Sequence, residues 1–206
     1  MIKRLLLKYS DEELGNRQAV GILLLLFVLG GVIGWVWEFL IKFSSGGFNG
    51  VYVTGGNLLP WINMYAYGTI LILIIVQNLK KKPFLVFLAS AVSMGVFELL
   101  GGWLIYLIGN GTRYWDYTNE WYGFGNINGF VCPASVIAFG LGALALVYGL
   151  VPFCIKLTRK MTSKAFFRFA VSFFAVILID DIVNLALRWT GNPSAMDLYS
   201  SLGFKM

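Results

Sequence analysis

Five stretches of this chain, at roughly 18–43, 59–79, 84–108, 129–155 and 166–189, are almost continuously apolar. A hydrocarbon core about 30 Å thick takes about 20 residues of helix at about 1.5 Å rise each, and every stretch reaches that length. The strands of a membrane barrel would show alternating segments of about ten residues instead. Of the 206 residues 58% are apolar and 13% charged, too little polar surface for water to be the main solvent. The expected fold class is an all-α integral membrane protein, a five-helix transmembrane bundle over 18–189. An interfacial segment, 1–17, precedes it and an external tail, 190–206, follows it.

Charge placement sets the expected orientation. Lys3, Arg4, Lys8 and Arg17 precede the first stretch, Lys80, Lys81 and Lys82 follow the second, and Lys156, Arg159, Lys160, Lys164 and Arg168 follow the fourth. These are 12 of the 16 basic residues; Lys42, Arg113, Arg188 and Lys205 lie on the other side. Basic flanks stay cytoplasmic, so the N-terminus is expected inside and the C-terminus outside a multi-pass protein of the cell membrane. The net charge of +6 is thus topology signal and headgroup contact with the bilayer, and no nucleic-acid partner is expected. The chain has two cysteines and no histidine. Cys132 opens the fourth stretch and Cys154 closes it, about 33 Å apart by helical rise, too far to bridge. Without histidine the usual zinc sites are excluded and no metal site is expected.

Between the stretches the loops differ. In 1–17, Ile2, Leu5, Leu6, Leu7 and Tyr9 alternate with basic residues, as in a helix lying on an anionic leaflet, and Ser10 with Glu13 fits a capping box. The first outer loop, Ser44 to Leu58, carries Gly46, Gly47, Gly50, Gly55 and Gly56 and reads as irregular backbone. The second, Gly109 to Asn128, carries six aromatics with Arg113, Asp116, Glu120, Asn126 and Asn128 among them. It fits an interfacial aromatic belt or, equally, a lid or binding surface. Gly34 and Glu38 in the first stretch echo Gly95 and Glu98 in the third, and Pro60 with Gly68 echoes Pro133 with Gly140. That pattern suggests a parallel repeat of a helical hairpin. Gly30, Gly31, Gly34, Gly101, Gly102, Gly140 and Gly142 read as close helix packing.

The acids inside apolar stretches carry the functional signal. A carboxylate at bilayer depth costs at least about 2.5 kcal/mol, so it faces the bundle interior and finds a partner. By helical rise Glu98, Asp180 and Asp181 lie about 21 Å from the cytoplasmic end, and Glu38 lies near the outer end of its helix. All four fall in the outer half of the membrane, a level that suits proton coupling or general-acid work. Asp180 and Asp181 diverge by about 100° on their helix, so one is expected to serve structure and the other a cavity. Asp180, Asn184 and Arg188, four apart, form a polar stripe. Glu38 has Lys42 four residues on as an alternative, purely structural partner.

Three pieces together, Gly34-Trp35-Val36-Trp37-Glu38, Glu98, and Trp115-Asp116-Tyr117 followed by Asn126, Gly129 and Cys132, resemble the CmpB-like family of ABC-transporter permeases. Pro60-Trp61-Ile62-Asn63-Met64-Tyr65-Ala66-Tyr67-Gly68 is similar to that family's second-helix start, while Gly56-Asn57 departs from its Gly-Pro pair. The resemblance covers roughly 30–140 and implies a membrane transport component. No GxxxxGK[ST] occurs, so an ATPase would be a separate chain, as would any further membrane subunit.

The function expected first is transport. A small polar or cationic solute would bind in an outward-facing acidic and aromatic cavity built from Glu38, Glu98, Trp115, Asp116, Tyr117, Asn126, Asp180, Asn184 and Arg188. The second is a membrane-embedded enzyme acting on a lipid or lipid-linked substrate at the outer leaflet, with Asp116, Glu38 and Glu98 supplying acid–base chemistry or holding a divalent cation. The third is an accessory subunit with a packed polar core. No residue pattern fixes a nucleophile or names a cofactor.

Overall fold

The computed structural model describes residues 5, 6, 9, 14–46, 57–111 and 113–204, with the side chains of Ser45 and Arg188 outside that description. Most of the 1–17 segment, the Ser10/Glu13 box and the glycine-rich part of the Ser44–Leu58 loop therefore lie outside the described residues, as does Gly56 of the Gly56-Asn57 departure. Within them the chain is all-α: α1 (Asn16–Gly46), α2 (Asn63–Val76), α3 (Pro83–Ile108), α4 (Pro133–Ala145), a π-helical turn (Leu146–Leu150), α5 (Val151–Thr158), α6 (Ser163–Trp189) and α7 (Ala195–Ser201). Among the described residues the only strand-like pairing is an isolated bridge between Ile127 and Val131.

Four helical runs are long and apolar enough to cross a membrane: Asn16–Ser44, Pro83–Ile108, Pro133–Thr158 and Ser163–Leu187. The second apolar stretch is helical only over Asn63–Val76, which rises about 21 Å, less than a hydrocarbon core. Its ends explain the shortfall. Pro60 bars helix at Leu59, and the Trp61 amide turns back to the Leu59 carbonyl (2.8 Å). At the far end the residues from Gln77 to Lys81 form turns. Pro152 explains the π turn: it has no N–H for the Tyr148 carbonyl and its ring crowds that carbonyl, so the helix widens just before it.

The chain divides into two compact units, residues 1–70 with 151–206, and residues 71–150. In the first, Gly30, Gly31 and Gly34 of α1 lie against Thr69, Trp61 and Tyr65, and a Cβ at any of them would fall far inside van der Waals contact. The close approach lets the Ile62 amide donate to the Gly31 carbonyl (3.1 Å). Val28, Trp61, Ala66 and Ile177 form the core there, with the Phe27 ring against Trp61 and Phe174. Small residues let membrane helices approach closely where no hydrophobic drive separates helix from lipid.

In the second unit, α3 buries Val86, Ser90, Met94, Glu98 and Gly102, one face at four-residue spacing. Gly95 packs on Val136 of α4, Gly140 on Phe87, and Gly102 on Phe130 and Trp115. Gly101 and Gly142, also expected at contacts, have nothing within 4 Å of a built Cβ. Both cysteines are free and buried.

Candidate functional site

Glu98 sits on the core-facing stripe of α3, so its carboxylate is buried by the same periodicity that buries Met94 and Gly102. It is 6% exposed. Tyr117 Oη donates to Oε1 (2.6 Å) and Ser135 Oγ to Oε2 (2.7 Å). Tyr117 comes from the 113–131 loop, whereas Ser135 comes from the first turn of α4. There Cys132 is the N-cap: its Sγ accepts from the Ser135 amide (3.4 Å), and Ser135 Oγ accepts from the Cys132 amide (3.2 Å). The cap and Pro133 at the helix start hold Ser135 at the glutamate.

The loop that carries Tyr117 is braced throughout. Trp115 Nε1 donates to the Phe130 carbonyl (2.8 Å), and the Tyr117 amide donates to the Gly129 carbonyl (2.9 Å). Asn126 closes a turn, donating to the Gly123 carbonyl and accepting from the Gly129 amide, both at 2.8 Å. Arg113 donates to the Asn128 carbonyl (2.6 Å), pairs with Asp116 (3.3 Å), and lies over the rings of Phe130 (4.6 Å) and Tyr106 (5.3 Å). Asp116 Oδ1 accepts from both the hydroxyl and the amide of Thr118. Those two bonds, with the Arg113 charge adding less, hold the Asp116 carboxyl below its ordinary 3.8 against slight desolvation. Gly129, at φ +74°, sits where Arg113, Asp116 and Thr118 converge and leaves no room for a Cβ. Trp103, Tyr106, Arg113, Thr118, Asn126, Asn128 and Phe130 line an open groove of about 530 Å³.

The other unit holds a second polar cluster. Asp180 accepts from the backbone amides of Leu58 (3.1 Å) and Leu59 (3.0 Å). Asp181 Oδ1 accepts from Asn57 (2.7 Å) and Asn63 (3.1 Å). Asn184 donates to Asn57 (3.4 Å) and accepts from the Ala195 amide (3.2 Å), and Tyr199 Oη donates to the Leu58 carbonyl. The two aspartates were expected to serve different ends. In the structure both hold one segment, 57–63, because that segment wraps across the helix and meets both faces. Nearby in the same unit, Glu38 accepts from Tyr65 Oη (2.6 Å).

Of the site residues expected from sequence, the structure thus joins Glu98 directly to Tyr117 and builds Trp115, Asp116 and Asn126 into the same loop. Asp180 and Asn184 share the other cluster, Glu38 pairs with Tyr65, and the Arg188 side chain lies outside the described residues. Ser135, Thr118, Asn57, Asn63, Tyr65 and Tyr199 are partners the sequence reading missed. Ser135 carried a usable signal, lying three residues past Cys132 at a Pro-marked helix start. Cys132 is 1% exposed. Among the described residues no three Cys, Asp or Glu side chains come together as a metal would require.

The family model described as "Putative ABC-transporter type IV" matches residues 25–185. No curated protein and no solved structure matches the chain.

Proposed function

The chain belongs to this ABC-transporter type IV family and is a transport-related membrane protein; from that premise we propose that it binds a small polar or cationic solute in an outward-facing acidic and aromatic cavity centred on Glu98. One observation carries the reading: a carboxylate on the core stripe of an apolar helix whose oxygens take two hydroxyls, one of them from a loop. A hydroxyl is a donor that a solute's ammonium or hydroxyl can replace at Oε1 once Tyr117 lifts away. In this reading Glu98 binds the solute, Tyr117 closes over it, and Trp115, Asp116 and Asn126 keep the closing loop in shape. The Asp180–Asn184 cluster holds its own unit together by tying segment 57–63 and α7 to α6, and Glu38 anchors the start of α2.

We place the protein in the cell membrane with five crossings, N-terminus inside. The basic residues support this, because only if the α2 region returns the chain do Lys80–Lys82 share a side with Arg17 and with Lys156–Lys164. A separate ATPase, or a further membrane subunit, is the partner that membership in the family suggests.

The test is Glu98→Gln in protein reconstituted into vesicles, screened by thermal shift against amines, quaternary ammonium ions and zwitterionic amino acids. The amide keeps the shape, and the two hydroxyls can turn to suit it. Stabilisation by a cationic or zwitterionic solute in the wild type, lost in Glu98→Gln at unchanged basal melting, is the expected result. A solute shift that survives the substitution would remove Glu98 from the site.

A further inference from the structure

The 113–131 loop buries Phe130 and braces its backbone, yet leaves three large rings bare. Phe124 is 90% exposed, Trp121 73% and Tyr114 70%. Side chains of this size left bare on ordered backbone mark a contact surface. The loop joins α3 to α4, which open or form two of the runs long enough to cross a membrane, so it lies at the level where those helices leave the hydrocarbon. The last turns of α3 are bare as well, with Trp103, Leu104, Leu107 and Ile108 all more than half exposed. Tryptophan, tyrosine and phenylalanine at that level suit lipid, because an amphipathic ring settles among headgroups.

A chain of rings leads from this surface inward. Trp121 meets Tyr122 edge-on with centroids 5.3 Å apart, Tyr122 meets Tyr117 at 5.9 Å, and Tyr117 donates to Glu98. We propose that the 113–131 loop is a bilayer-anchored lid: Trp121 and Phe124 seat in the lipid headgroup region, and the Trp121–Tyr122–Tyr117 rings tie that anchor to the carboxylate of Glu98. The lipid is recognised by its interface, by ring burial at headgroup depth, and by no particular headgroup. The inference rests on α3 and α4 crossing the membrane and is independent of which solute, if any, reaches Glu98.

The experiment compares tryptophan emission of the wild type and of Trp121→Phe in phosphatidylcholine vesicles, with bromine placed high on the acyl chains or absent, and with iodide in the water. The difference between the two proteins is the emission of Trp121. Quenching of that difference by brominated lipid is the expected result, with Phe124→Trp in the Trp121→Phe background quenched in the same way. Quenching by iodide alone would put the tip in water. Quenching by neither would mean that protein covers it, and either outcome overturns the anchor. The inward link is read separately: Tyr117→Phe should reduce the lipid quenching of Trp121, because the ring chain loses its tie to Glu98. Unchanged quenching in that variant would overturn the link.

Discussion

Glu38 on α1 and Glu98 on α3 each accept a tyrosine hydroxyl at 2.6 Å, and each follows a glycine, Gly34 or Gly95, that lets a neighbouring chain approach. Their surroundings differ. Tyr65, the partner of Glu38, comes from the first turn of the next helix, and Glu38 is only half-buried. Tyr117, the partner of Glu98, comes from a loop folded back over the helix end, and Ser135 supplies a second hydroxyl from the helix beyond. The same pairing is half-buried in one unit and buried in the other.

The largest effect should come from truncating the buried acid. Glu98→Ala removes the carboxylate that accepts from the Tyr117 and Ser135 hydroxyls, the second of which can still turn to the Cys132 carbonyl (2.9 Å), and opens a void between α3 and α4. The expected loss is about 3 kcal/mol of stability. Glu38→Ala, partly exposed and with the Tyr65 hydroxyl as its partner among the described residues, should cost about 1 kcal/mol or less. Thermal unfolding of the two variants in the same detergent compares them directly. Equal losses would break the distinction between the half-buried and buried pair.

Gly129→Ala comes next. The backbone there is at φ +74° and a Cβ would collide with Asp116, Arg113 and Thr118, so the loop itself should loosen at a cost of about 2 kcal/mol. Gly142→Ala, with nothing within 4 Å, is its control and should be neutral or slightly stabilising. If Gly129→Ala melts like Gly142→Ala, the braced loop is not what covers Glu98. Smaller again is the loss of single hydroxyls. Tyr117→Phe should cost about 1.5 kcal/mol and Tyr65→Phe less, a difference that double-mutant cycles with Glu98→Gln and Glu38→Gln can isolate.

Much of this architecture was legible in the sequence because it rests on apolar length and on periodicity. Four runs long enough to span follow directly from stretches of Leu, Ile, Val and Phe, and Glu98 was singled out because a lone acid in such a run must find a partner. Membership in the family followed from short motifs around Glu38, Glu98 and Trp115-Asp116-Tyr117. What escaped the sequence depends on chain that folds back. Nothing in the spacing of Asp180 and Asp181 shows that one segment, 57–63, meets both faces of α6. Nothing local to Tyr117 says that its hydroxyl reaches a residue 19 positions earlier rather than water. Ser135 was legible only to a reading that took Cys132-Pro133 as a helix cap.

The smallest expected effect tests the brace beneath the lid through pH. The Asp116 carboxyl is held below its ordinary value of 3.8, first by the Thr118 hydroxyl, then by the Thr118 amide, and least by Arg113. A carboxyl whose folded pKa is depressed stabilises the folded state fully above its unfolded value. That contribution shrinks as pH falls past 3.8 and is gone below the lowered folded value. The group is largely solvated, so the effect is small and salt-sensitive. Wild type should therefore melt slightly above Asp116→Asn at pH 7, and the gap should close as the pH is taken down through the carboxylate range. Thr118→Val removes the leading cause and should close more of that gap than Arg113→Gln does. A gap that persists unchanged at pH 2 would show that Asp116 braces the loop by shape and not by charge. The reverse order of the two neighbours would make the Arg113 pair, and not the Asp116–Thr118 turn, the main support of the buried site.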